Sequence, residues 1–329
     1  MFKRVKGFLK IPPFQDAHVH FMIEGQRSTL VDCQAISDQF LSGGIAAVAD
    51  MGHKSGCGLK FREVVDRKSS DPLKIHSAGF ALYKKGTYGG FLGKGVSGKK
   101  EIKSTIHTLV KANVDFLKVI NSGIVSLREE KPVTEGGFSL DEWKVIQEEA
   151  GVHGLPICCH ANTYRAIRQA VDFGVSSVEH GFFISEETLH SMVEKNVAWT
   201  PTAFALLSIE SSLAEKGKKH LENIMDHHLE TIHYAASIGV KLQVGTDSGS
   251  KGVRSGESFF KELQLFKKSG LTLEQILSAA CLDREEILKG NYLLVKKDFI
   301  EQGKIEALFI EGKKIEAPRT KVRGIFHAR

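Results

Sequence analysis

Eight short apolar runs recur along the chain at a mean spacing of roughly 32 residues: 15–21, 45–50, 74–79, 114–120, 155–160, 175–180, 197–202 and 241–246. That spacing holds one strand, one helix and two loops per unit. Several runs are apolar almost throughout and rich in Val and Ile, as parallel strands covered on both faces require. Between them, segments such as 139–153 and 257–270 carry apolar residues at helical spacing and end near a glycine, the expected helix stop. The pattern predicts an α/β protein, a (β/α)8 TIM-like barrel, with an open doubly wound sheet as the alternative.

After Gly290 the rhythm changes to short β-like pieces at 292–295, 305–310 and 321–326. The expected organisation is a barrel over 11–290, with 1–10 and 291–329 forming a small, reduced β appendage. Forty-five Lys+Arg against 39 Asp+Glu leaves a net charge of +6, and a hydrophobic share of 42% excludes disorder as the main state. Basic and acidic residues alternate, the pattern of a solvated surface rather than of a nucleic-acid partner. No apolar run approaches the ~20 residues of a membrane span, and the basic start carries no signal-peptide pattern, so a cytoplasmic location and no membrane partner are expected. The five cysteines include no CxxC pair, which argues against a disulfide framework or a cysteine zinc site. A homo-oligomer stays open.

Chemistry-bearing residues collect at one end of these runs. Asp16-Ala17-His18-Val19-His20 places two imidazoles at i and i+2, on one face of a strand, where they can share a metal. Lys118 lies near the end of the fourth run, His160 and His180 end the fifth and sixth, and Asp247 follows the eighth. In a barrel those ends converge on one cup that gathers catalytic groups from different strands. Histidine and carboxylate ligands suit Zn²⁺, with Mn²⁺ or Fe²⁺ less selectively. Lys118 sits in the apolar strand Asp115-Phe116-Leu117-Lys118-Val119-Ile120, where burial disfavours the ammonium. A neutral amine can take up CO₂ and become a carbamate, an anionic oxygen ligand able to bridge two metals.

Together these positions resemble the amidohydrolase superfamily of metal-dependent hydrolases over residues 11–250. The phrases Asp16-Ala17-His18-Val19-His20, Asp115-Phe116-Leu117-Lys118-Val119, Val178-Glu179-His180-Gly181, Pro201-Thr202 and Gly245-Thr246-Asp247-Ser248 are similar to its imidazolonepropionase-like and Xaa-Pro dipeptidase-like members. The strand-four lysine favours the binuclear dipeptidase side. The resemblance implies that His18, His20 and Asp247 hold one divalent metal and His160 and His180 the other. Carboxylated Lys118 and a hydroxide would bridge the two, and Asp247 would act as the catalytic proton shuttle. The implied reaction is hydrolysis of an amide-like C–N bond in a small molecule, a dipeptide or N-acyl amino acid. Alternatives are hydrolysis of a cyclic amide or imide, deamination, or a metal-free barrel without catalysis. Departures from the family pattern are Pro12-Pro13 before the first strand, Gln15 at a usually apolar position, and Gly303-Lys304-Ile305-Glu306-Ala307-Leu308. Only 17 residues precede His18, which implies that most of the family's β-sandwich is absent.

His53, Tyr83, Tyr88 and Asn162 are expected substrate contacts around the cup. The stretch 93–100 matches a phosphate-cradling GxxxxGK core, but Lys100 stands where the Mg²⁺-binding Ser or Thr belongs. The stretch from Lys84 to Lys100 instead suggests a glycine-hinged lid whose five lysines would attract a substrate carboxylate. His227, His228 and His233 are expected on a solvated helix surface.

Overall fold

The repeat closes into a ring through main-chain hydrogen bonds. The computed structural model describes residues 3–5, 7–21, 30–67, 71–127 and 133–316. Strands β1 (Lys3–Val5) and β2 (Phe8–Ile11) precede β3 (Phe14–Val19), β4 (Ile45–Asp50) and β5 (Lys74–Ser77), of which the last three pair in parallel. Then follow β6 (Ala81–Lys84), β7 (Gly93–Val96), β8 (Leu117–Ile120), β9 (Ile157–Ala161), β10 (Ser177–His180) and β11 (Ala198–Thr200). These form a second parallel sheet ordered β11-β10-β9-β8-β6-β7. The Asp115 amide donates to the Ser77 carbonyl at 3.0 Å and joins the two sheets on one side.

On the other side the eighth run supplies the seam without being a regular strand. Trp199 N donates to Lys241 O at 2.9 Å and Gln243 N to Trp199 O at 2.8 Å. Ala17 N then reaches Val244 O at 2.9 Å, and Asp247 N reaches His18 O at 2.7 Å. The seam is tight enough that residue 245 must be glycine: a Cβ there would lie 2.4 Å from Thr200 Cγ2 and 2.7 Å from His18 Cβ.

The helices predicted at 139–153 and 257–270 form at Leu140–Val152 and Glu257–Lys268. The first starts at a capping box in which Ser139 and Glu142 satisfy each other's free amides. Helices and strands share one apolar core, with Phe14 stacked among Phe259, Phe260 and Phe299 beneath the barrel. There the chain's two ends meet in one antiparallel sheet, β1-β2-β12-β13-β14, built with β12 (Tyr292–Val295), β13 (Ala307–Ile310) and β14 (Lys313–Ile315). The expected piece at 321–326 lies outside the described residues. Gln15 lines a cavity of about 300 Å³ in the lower barrel with Gln243, Asp16 and Ser177, which accounts for a polar side chain at that position.

The structure adds to two expectations and corrects a third. The third run breaks at Gly79, whose φ is +69°, and continues as β6, which pairs with both β7 and β8. The 84–100 stretch is not loop throughout: it contains β7 and enters the helix Gly98–Lys111. Lys84 is held by the Glu142 carboxylate at 2.6 Å, and Lys85 faces Glu101 at 3.8 Å. His228 is buried, its Nε2 3.2 Å from the Pro201 carbonyl and its ring against Phe182 and Trp199, while His227 and His233 are exposed. Because the seam leaves no room for one methyl group, Gly245→Ala should cost about 1–3 kcal/mol of stability, the usual range for overpacking. Equilibrium denaturation of the metal-free protein measures it.

Candidate metal centre at the strand ends

An irregularity in β3 between Asp16 and Val19 brings His18 to the cup, and His20 follows two residues on, just past the strand's end. Both rings are buried and oriented by their Nδ1 atoms. That of His18 lies 2.7 Å from Glu179 Oε2, and that of His20 lies 2.9 Å from the Gly52 carbonyl. Donation from Nδ1 leaves each Nε2 as a lone pair, 3.6 and 3.3 Å respectively from Asp247 Oδ1. The His180 ring sits 4.9 Å from His18 and 4.5 Å from His160, centroid to centroid. Its Nδ1 meets Thr202 Oγ1 at 2.6 Å. His160 Nε2 faces the Gly123 carbonyl at 3.0 Å and Asn162 Nδ2 at 3.3 Å.

Burial, reinforced by the Lys118 charge, pushes His20 and His160 down to about 3 and His18 well below its ordinary range. Burial and the neighbouring His160 do the same to His180. All four imidazoles are therefore neutral near pH 7, the form that binds a metal. Burial pushes the Asp247 carboxyl up to about 7. Lys118 is 1% exposed, and its Nζ, like His18 Nε2, has no hydrogen-bond partner. A buried polar atom left unpaired costs about 1–3 kcal/mol, and a buried unpaired charge more. Donor atoms of His18, His20 and Asp247 all lie within 4.8 Å of one another, so one cation at ordinary bond lengths of about 2.0–2.2 Å can reach all three after small side-chain adjustments. The residues fit the group that the fold implies.

Strain is concentrated here as well. Among the described residues six non-glycine positions have positive φ, and three of them, His180 (+67°), Thr202 (+47°) and Asp247 (+58°), are at this site. Such conformations cost about 1–3 kcal/mol each and persist only where surrounding bonds fix them. Trp199 Nε1 donates to the His180 carbonyl at 2.9 Å. A Cβ at Gly181 would lie 2.6 Å from that nitrogen, so the turn after His180 requires glycine. Glu262, buried in the helix Glu257–Lys268, accepts from the amides of Ala203 (2.8 Å) and Phe204 (2.7 Å) and so anchors the turn that presents Thr202. Asp16 ties the ends of the first and eighth runs by accepting from Thr246 N and Oγ1 at 2.9 and 2.6 Å.

Sequence reasoning missed Glu179, Thr202 and Glu262 as supports. Of the expected substrate contacts, the Tyr88 ring lies 5.6 Å from that of His160, and Asn162 touches His160. His53 is partly exposed, with Nδ1 on Ser55, and Tyr83 is packed against Gly89 and Gly95. Beside Asn162 opens a cavity of about 440 Å³, lined by Thr87, Ser122, Thr134, Glu135 and Thr163 among others.

The amidohydrolase family model matches residues 9–290. The chain belongs to the amidohydrolase family. It is 25% identical to ochratoxinase from Aspergillus niger over 309 residues, covering 82% of this chain but only 63% of the relative's length. Among solved structures, a Xaa-Pro dipeptidase with bound methionine in the active site superposes with a TM-score of 0.78 at 19% identity, over 94% of this chain and 87% of that one. A prolidase complexed with N-methylphosphonate-L-proline gives 0.75 at 19% identity, over 95% and 88%. Membership of the amidohydrolase family accounts for a barrel whose polar residues gather at the strand ends.

Burial raises the Glu262 carboxyl to about 8 against the ordinary 4.5, so the folded protein keeps a proton that the unfolded chain releases between those values. Its contribution to stability is complete below pH 4.5 and is lost as pH rises through 8. Glu262→Gln should therefore flatten the decline in stability of the metal-free protein between pH 5 and 8. Denaturation midpoints across that range measure the slope, and an unchanged slope would show that Glu262 is ionised throughout.

Proposed function

We propose that this amidohydrolase is a metal-dependent hydrolase cleaving an amide-like C–N bond in a small molecule, with a dipeptide or N-acyl amino acid as the substrate class. The observation that carries the reading is the convergence of four buried neutral imidazoles, the Asp247 carboxylate and the unpartnered Lys118 amine at one barrel end. His18, His20 and Asp247 would hold one divalent cation and His160 and His180 a second, with Lys118 as a CO₂-derived carbamate between them. Zinc suits the donor set best, and manganese or iron is compatible with it. Such cations supply Lewis acidity and lower the pKa of water towards neutrality.

The chain's own residues do the remaining work. Glu179 and the Gly52 carbonyl fix His18 and His20 in the tautomer that presents Nε2, and Thr202 holds the His180 ring. Bonding of His160 Nε2 to Gly123 leaves its Nδ1 for a ligand bond. Asp247 accepts the proton from the attacking water and returns it to the leaving nitrogen. Tyr88, Asn162 and His53 border the space for the substrate. With Lys84 and Lys85 engaged in ion pairs, the carboxylate-bearing substrate class is supported by the likeness to a Xaa-Pro dipeptidase and a prolidase. Product analysis against dipeptides, N-acyl amino acids and cyclic amides separates this reading from cyclic-amide hydrolysis and deamination.

Elemental analysis after reconstitution with Zn²⁺ and bicarbonate should give two metal ions at the strand ends, counted as the difference between the unaltered chain and His18→Ala/His160→Ala. Lys118→Ala should lose binuclear occupancy and hydrolysis, and added short-chain carboxylates should partly restore both by replacing the carbamate oxygens. Both strand-end metals retained in Lys118→Ala, with full turnover and no response to carboxylates, would refute the role of Lys118.

A further inference from the structure

On the outer wall of the barrel the helix Gly98–Lys111 packs along the helix Leu140–Val152. Three side chains meet between them: His107 from the first, Glu149 from the second, and His153 at the second helix's C-cap. Glu149 and His153 are four residues apart and so share one helix face. His107 Nε2 lies 3.0 Å from Glu149 Oε2, and the His107 and His153 rings meet edge to face with centroids 5.4 Å apart. One ligand atom from each of the three residues lies within 4.8 Å of the other two. In a tetrahedral zinc site with bonds of about 2.0–2.1 Å the ligand atoms stand roughly 3.3–3.4 Å apart. Both histidines are exposed, so rotating an imidazole closes the remaining gap without disturbing the core.

The charges favour a cation. Lys103 bonds Glu149 Oε1 at 2.7 Å and holds the carboxyl below its ordinary range, while Oε2 turns to His107. Glu148 places a second carboxylate in the field of Lys103, so one ammonium faces two acids. The Lys103–Glu149 pair accounts for one oxygen of the carboxylate. It leaves unexplained why imidazoles from two elements meet beside it, His107 on the other oxygen and His153 against the His107 ring.

We propose that His107, Glu149 and His153 form a second divalent-cation site on the helical wall, separate from the strand-end centre, for zinc or the similarly imidazole-seeking nickel and copper. Glu149 binds through Oε2 and keeps Lys103 on Oε1, and the cation replaces the proton between Oε2 and His107 Nε2. Open coordination positions are left to water, as suits a three-ligand site. A cation there fastens the helix that leads into β8 to the helix that leads into β9, the strands carrying Lys118 and His160.

The test is equilibrium dialysis of the metal-reconstituted full chain against Zn²⁺ alone. The protein should take up one equivalent more than the double variant His107→Ala/His153→Ala, and also one more than Glu149→Gln. The double variant alters only exposed side chains, so it keeps the test valid if removal of the buried Glu149 charge prevents folding. Turnover of the double variant should equal that of the unaltered protein, which distinguishes loss at this site from loss at the strand ends. Equal zinc uptake by the unaltered chain and the double variant would overturn the proposal.

Discussion

An amine with no partner, sealed at the end of an apolar strand, is the constraint around which the rest of this molecule is arranged. Lys118 is almost fully buried among four imidazoles that burial keeps unprotonated. Neither a buried unpaired ammonium nor an unpaired His18 Nε2 is stable by itself, so the barrel carries their cost in its apolar core. The supporting bonds are directional: Glu179 turns His18, Gly52 turns His20, Thr202 turns His180, and Glu262 anchors the turn that bears Thr202. Left-handed backbone at His180, Thr202 and Asp247 shows where the fold concedes local stability to geometry.

The ring itself was readable from sequence because parallel strands covered on both faces carry continuous apolar runs. Seven of the eight expected runs contain assigned strands, and the eighth completes the ring through bonds from Ala17 and Trp199. β7 was invisible: Gly93-Lys94-Gly95-Val96 has almost no apolar content, and its pairing to β6 rests on main-chain bonds and on glycine at 93, where a Cβ would lie 1.7 Å from the Ala81 carbonyl oxygen. The same lysines and glycines suggested a mobile lid, yet Glu142, 58 residues on, holds Lys84, and Glu101 faces Lys85. Ion-pair partners of that kind cannot be read from local pattern.

At the site, the residues at the ends of regular strands were identifiable because strand direction alone places them, and the structure brings them together. Their supports were not, since Glu179, Thr202 and Glu262 act through partners distant in sequence, His18, His180 and the amides of Ala203 and Phe204. His228 was recoverable: it falls on the stripe Leu221, Ile224, Met225, Leu229 and Ile232, whose helical spacing faces the core. Treating it with its exposed neighbours His227 and His233 overlooked that period.

The central claim is that Lys118 serves as a carbamate ligand rather than as a free amine. Reconstitution with metal and ¹³C-labelled bicarbonate, followed by ¹³C NMR, tests it most directly. The account predicts a carbamate carbon signal, distinct from free bicarbonate, that is present in the metal-loaded protein and missing from Lys118→Ala. A fully active, metal-loaded protein without that signal would contradict it.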